Sequence, residues 1–190
     1  MYQLIKVQDT VRIPPKDFGK PLKQSVLKAL RENYEGKVDS DVGVILAISQ
    51  VEDIGEGKLI PGDGASYHDV VFTALAFNPQ LHEVVTGKVS EIAQFGAFVK
   101  LGPIDGLVHV SQITDDYISY NEKTGTLMGK ESGKVLKEND VVRARIVTLS
   151  IKPVITESKI GLTMRQPGLG KLEWIEKEKK KKGGKKGGNK

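Results

Sequence analysis

The chain has 190 residues, with 29 Lys and Arg against 24 Asp and Glu and a net charge of +5. It contains no cysteine, which excludes disulfides and thiolate metal sites, and no run approaching the roughly 20 apolar residues that span a bilayer. The start, Met1-Tyr2-Gln3-Leu4, lacks the basic-then-apolar pattern of a secretory signal, so a cytoplasmic protein without membrane contact is expected. The charge is unevenly placed. Residues 177–190 hold eight lysines and one glutamate, which leaves residues 1–176 at −2. The composition of residues 176–190 predicts a disordered Lys/Gly-rich tail, acting either as a solubilising extension or as a salt-sensitive attraction for nucleic acid.

Residues 2–13 alternate imperfectly like a strand and stop at Pro14-Pro15. Asp17 is placed to cap a helix on which Phe18, Leu22, Val26, Leu30 and Tyr34 recur every four residues, and Gly36 supplies its stop. The nearly continuous apolar run Val42–Val51 predicts a strand buried on both faces. A glycine-rich loop is expected next, from Gly55-Glu56-Gly57 to Gly62-Asp63-Gly64. Gly57-Lys58 is followed by Leu59 rather than Ser or Thr, so the phosphate-loop pattern fails. A long loop in a small domain often contacts a partner. Tyr67–Phe77 forms another strand and ends at Asn78-Pro79. Residues 1–80 therefore read as an α+β domain with one helix on a small antiparallel sheet.

From Leu81 the chain passes without a flexible linker into a second domain, residues 81–175, and Leu81–Val89 reads as one continuous strand. Between Gly87 and Ile113, two short strands are joined by Gly102-Pro103, with Gly96 and Gly106 where a small barrel must bend. Phe95, Phe98 and His109 are candidates for stacking on bases, with basic groups such as Lys100 around them, as in small barrels that bind single-stranded nucleic acid. On a regular strand Phe95 shares parity with Ala97, Val99 and Leu101, and Phe98 with Lys100, so only one ring faces out. A bulge at Gly96 would let both reach the surface. An insertion, 114–134, carries a hairpin-turn sequence at Glu122-Lys123-Thr124-Gly125. Val141–Val147 and Lys159–Met164 supply the fourth and fifth strands of a five-stranded barrel. The three histidines have no metal-ligand spacing, and Asp115-Asp116 reads as a solvated pair, so no active site, metal or cofactor is expected.

The spacing from Gly87 to Ile113 resembles the S1-type RNA-binding OB fold. The chain as a whole is similar to the E-prime family of the archaeal DNA-directed RNA polymerase, counterpart of the seventh subunit of eukaryotic RNA polymerase II. The similarity is carried by Val11-Arg12-Ile13-Pro14-Pro15-Lys16-Asp17-Phe18-Gly19, Asp41-Val42-Gly43, the Gly55–Gly64 segment, Tyr67-His68, and Leu162-Thr163-Met164-Arg165-Gln166-Pro167 through Trp174. It implies an RNP-like tip domain that docks on the polymerase core, with Gly55, Gly57, Gly62, Asp63 and Gly64 as the docking loop. It also implies a smaller helical partner, the polymerase's F component, completing a two-protein stalk that contacts emerging single-stranded RNA and supports initiation. Phe95, Phe98 and His109 match the RNA-facing positions of the S1 pattern, and Lys159 its basic residue before the last strand. The pattern's aspartate has no match at Ser150-Ile151-Lys152, which implies a sequence-tolerant grip. The alternative reading is an S1-module RNA-binding factor of translation or RNA decay.

Overall fold

The computed structural model describes residues 1–39 and 41–184. They divide into two compact units, Met1–Pro79 with Ile151–Ile155, and Gln80–Ser150 with the residues from Thr156 onward.

The first unit is a four-stranded antiparallel sheet covered on one face by a helix. Its elements are β1 (Tyr2–Ile13), α1 (Leu22–Tyr34), β2 (Val38–Asp39), β3 (Gly43–Leu59) and β4 (Ser66–Phe77), in the sheet order β1-β4-β3-β2. Val26 and Leu30 of α1 are fully buried against Val11, Ile48, Val70 and Phe72 of the sheet. Alternation along β1 and β4 puts every second residue under the helix, which is why this face is apolar. Three local expectations change. Asp17 does not cap α1: it lies in a short 3-10 turn, its carboxylate pairs with Lys20 at 2.8 Å, and Pro21 occupies the cap position. Phe18 therefore lies outside the helix and is half exposed, and Leu22 is exposed as well. Nor is the glycine-rich segment one long loop. β3 runs on through Gly55 and Gly57 to Leu59, paired with β4 as Gly57↔His68 and Lys58↔Tyr67. Glycine is needed there because a Cβ on Gly57 would lie 2.8 Å from the His68 ring. Only Gly62, Asp63 and Gly64 of the expected docking loop sit in the connecting turn.

The second unit is a barrel built from β5 (Val84–Ala93), β6 (Gly96–Lys100), β7 (Asp105–His109), β11 (Val141–Ser150) and β12 (Lys159–Thr163), with β8 (Ile118–Asn121), β9 (Thr126–Gly129) and β10 (Val135–Leu136) as a separate three-stranded sheet inserted between β7 and β11. Hydrogen bonding runs β12-β7-β6-β5-β11 and returns to β12, so five strands close and none is left as a free edge. The β7–β12 contact is parallel and the others antiparallel. The fold is α+β, with a closed barrel after the helix-on-sheet unit. β5 starts later than its apolar pattern suggests, because His82 takes a left-handed φ of 68° and its N–H donates to Ile146 O at 2.9 Å.

After β13 (Gly170–Lys171) comes α2 (Leu172–Gly184), so the basic tail is helical through Gly184 where its composition predicts disorder from residue 176. The reason lies at its start. Ile175 is buried, Lys134 Nζ bonds Glu178 at 3.0 Å, and Glu173 opens the helix while lysines follow, the charge order a helix dipole favours. Residues 185–190 of the expected tail lie outside the described residues.

Candidate nucleic-acid interface

Strands β6, β7 and β12 carry Phe98, Lys100, His109 and Lys159 of the residues singled out for RNA. Ala97, Val99, Val108, Ile160 and Leu162 point inward and are buried, so their neighbours in sequence face out. The register stacks them in rungs. Phe98 lies opposite Leu107, which lies beside Gly161; Gly96 lies opposite His109; Lys100 lies opposite Asp105. Lys159 stands one residue before the Ile160↔Gly106 pair, on the Asp105 rung. One outward face thus brings Phe98, Lys100, His109 and Lys159 together, lysines at one end and histidine at the other.

Both phenylalanines reach the surface, by a route other than a bulge at Gly96. Phe95 is not in a strand: it occupies the turn between β5 and β6, where its carbonyl accepts from Val110 N at 2.8 Å. The register shift falls in β5, between Val89 and Glu91. Gly96 has a different task. A Cβ there would stand 2.3 Å from Val108 O, so only glycine lets β6 approach the end of β7 so closely. The rings of Phe95 and Phe98 meet edge to face, with centroids 5.9 Å apart at 89°. Phe95 is 50% exposed. Full burial of such a ring contributes about 1.5–3 kcal/mol, and this site forgoes much of it, leaving apolar area open to a ligand.

His109 ends β7 and caps the 3-10 turn Val110–Gln112. Its Nδ1 accepts from Ser111 N at 3.3 Å and lies 2.8 Å from Ser111 Oγ. With Nδ1 accepting, the ring hydrogen lies on Nε2, which presents a donor outward. Gln112 anchors this turn: its Oε1 accepts from Thr163 Oγ1 at 2.8 Å and its carbonyl accepts from Met164 N. Among the described residues, neither Lys100 nor Lys159 is held in an ion pair. Lys88 pairs with Lys100 across β5–β6 and is also exposed. Sequence reasoning missed it, because only the register shows it on the same face. Together these groups can stack bases and neutralise phosphates without reading base edges.

The turn of the first unit is built differently. The Asp63 carboxylate accepts from Arg12 Nε and Nη2 at 2.8 and 2.7 Å, from Tyr67 Oη at 2.7 Å and from Ala65 N at 3.2 Å. The Arg12 guanidinium, then the Tyr67 hydroxyl, hold its carboxyl well below the usual carboxylate range. Asp63 is thus an internal clamp. What the hairpin end offers outward is Leu59, 73% exposed, with Ile60 beside it.

Two family descriptions match the chain: "SHS2 domain found in N terminus of Rpb7p/Rpc25p/MJ0397" over residues 8–64, and "S1 RNA binding domain" over residues 78–152. DNA-directed RNA polymerase subunit Rpo7 of Saccharolobus shibatae is 48% identical over 95% of this chain and 100% of its own length. The chain belongs to the Rpo7 family. The Rpo7 of Sulfolobus acidocaldarius is 43% identical over 94% of this chain and 97% of its own. Subunit RPC8 of Saccharomyces cerevisiae RNA polymerase III is 31% identical over 80% and 76%. The Rpo7 match runs through both units, which sets this chain apart from an S1 domain borne as a module on an unrelated protein.

Proposed function

We propose that this chain is a non-catalytic stalk subunit of a multisubunit DNA-directed RNA polymerase, joined to the core by its N-terminal domain and holding emerging single-stranded RNA on its barrel during initiation. Membership of the Rpo7 family, along nearly the whole chain, supports the polymerase assignment. The observation that carries the RNA reading is the convergence of Phe95, Phe98, His109, Lys100 and Lys159 at one outward barrel face. Stacking platforms flanked by available cations grip single strands with little sequence preference.

The docking element is the end of the β3–β4 hairpin, where Gly62, Asp63 and Gly64 shape the turn and Leu59 and Ile60 make the apolar contact. Gly55 and Gly57 act one step back, letting β3 pass His68 and Asp69. The partner is the polymerase's helical F component, forming a heterodimer in the cytoplasm. The sheet face away from α1 supports such a partner: Leu4, 68% exposed, pairs with Leu75, and Val71 follows on the same face. Large exposed apolar area of this kind marks an interaction surface.

The test is retention on polymerase core assembled without its stalk. The wild-type chain is expected to be retained, and the double variant Leu59→Ser/Ile60→Ser to lose most of that retention at an unchanged melting temperature. Equal retention of both proteins would remove the docking role from the hairpin end.

A further inference from the structure

The inserted sheet carries a second set of exposed groups beside the barrel face. In the hairpin β8–β9, Tyr120 pairs with buried Leu127 and Ile118 with buried Gly129, while Ser119 pairs with exposed Met128. Tyr117, two residues before Ser119, belongs to the outward set with Met128. Tyr117 is 69% exposed, and Lys130 Nζ lies 4.4 Å from its ring centroid. Lys130 N also donates to Tyr117 O at 3.0 Å, which fixes the two residues together. An ammonium on one side of a ring leaves the other side for a base, and its N–H donors can reach a phosphate at the same time.

The acidic pair just before the hairpin is already engaged. Asp115 bonds Arg165 Nε at 2.6 Å, and Asp116 accepts from Ser132 N and Oγ at 2.9 and 2.8 Å. Of the charged residues lining the groove beside the hairpin, Lys123 and Lys130 face one acid, Glu122, while Glu131 follows Lys130 in the chain. An open groove of about 760 Å³ is lined by residues of the hairpin together with Gln94 and Val110. Those two residues adjoin Phe95 and His109 in the chain, so the groove starts where the barrel face ends.

We propose that the outward face of β8–β9 is a further nucleotide subsite, taking a base of the same single-stranded RNA on Tyr117 and its phosphate on Lys130. The proposal rests on the RNA-binding reading of the barrel and extends it: the insertion lengthens the RNA path instead of covering it. Lining by Gln94 and Val110, the chain neighbours of Phe95 and His109, favours RNA here over a protein partner.

The experiment compares full-length wild type, Tyr117→Leu and Lys130→Ala on uridine oligonucleotides of about 4 and about 16 nucleotides, the limits of an OB-fold site. Tyr117→Leu is expected to weaken the long oligonucleotide about fivefold or more and leave the short one unchanged. Lys130→Ala should weaken the long one less and reduce its salt dependence. Crosslinking from 4-thiouridine in the long oligonucleotide should mark the peptide containing Tyr117. Wild type that binds both lengths, with Tyr117→Leu binding identically at both, overturns the subsite and spares the barrel reading. Wild type that binds neither overturns both. Unchanged RNA affinity with lower retention on polymerase core would assign the groove to protein and also overturn the proposal.

Discussion

The turn at Gly62–Gly64 and the outward face of β6, β7 and β12 treat their polar side chains in opposite ways. At the turn, Asp63 takes hydrogen bonds from Arg12, Tyr67 and Ala65, and its charge is fully engaged within the protein. On the barrel, His109 engages only Nδ1, and Lys100 and Lys159 stand without ion pairs among the described residues. Exposed lysines alone are ordinary surface. Beside them, however, stand the half-exposed ring of Phe95 on a tethered turn and the partly exposed ring of Phe98 on a strand. The difference separates scaffold from ligand surface: a polar group whose bonds are satisfied at home holds a shape, and one kept ready beside apolar rings is available to a partner. In the proposed docking element, Asp63 accordingly shapes the turn, and the exposed Leu59 and Ile60 are the apolar groups it offers outward.

The largest effect is expected where the barrel's scaffold is disturbed. Gly96→Val would drive a branched side chain against Val108 O, where even a Cβ would stand at 2.3 Å. The expected loss is about 3 kcal/mol or more in denaturant unfolding, with RNA binding lost alongside. A variant as stable as wild type would mean that β6 and β7 can part without cost.

A smaller effect tests the clamp. The folded-state carboxyl of Asp63 lies below its ordinary value, so its contacts contribute fully above about pH 4 and are lost as pH falls through the depressed folded value. Asp63→Asn should therefore melt lower than wild type at neutral pH, and the gap should close in strong acid. Asp17, Asp69 and Glu52 are also depressed, chiefly by Lys20, Lys58 and Lys6, but their acid losses occur in both proteins and cancel. Melting curves at neutral and acid pH decide it, and a gap equal at both would show that the charge of Asp63 contributes nothing. Smallest of all is Lys159→Ala, expected to flatten the salt dependence of RNA binding by about one phosphate contact.

Much of this was legible in the sequence because it is local. Four-residue spacing placed Val26, Leu30 and Tyr34 on α1, and period-two alternation placed β1 and β4. Parity put Phe98 and Lys100 on one face, and the S1 pattern added His109. What the sequence hid depends on contacts between distant residues. That β3 continues through Gly55 and Gly57 is settled by His68 and Asp69 on the opposite strand, since glycine alone reads as a break. Phe95 faces out because the turn, not a bulge, contains it, and the register shift sits at the other end of the hairpin. Asp115 and Asp116 looked solvated because Arg165 and Ser132, their partners, are 50 and 16 residues away. The helical start of the tail depended on burial of Ile175, which composition cannot reveal.

The proposal stands or falls on whether the barrel face, rather than the basic tail, holds RNA. Its most direct test is the affinity for single-stranded RNA of wild type, Phe98→Ala and a chain lacking residues 177–190, each at low and at physiological salt. Stacking contributes roughly 1–3 kcal/mol per base, so Phe98→Ala should bind about tenfold more weakly or worse at both salts. The truncated chain should lose affinity mainly at low salt, where charges are least screened. If Phe98→Ala binds like wild type while the truncation abolishes binding, the tail is the RNA-binding element and the account is contradicted.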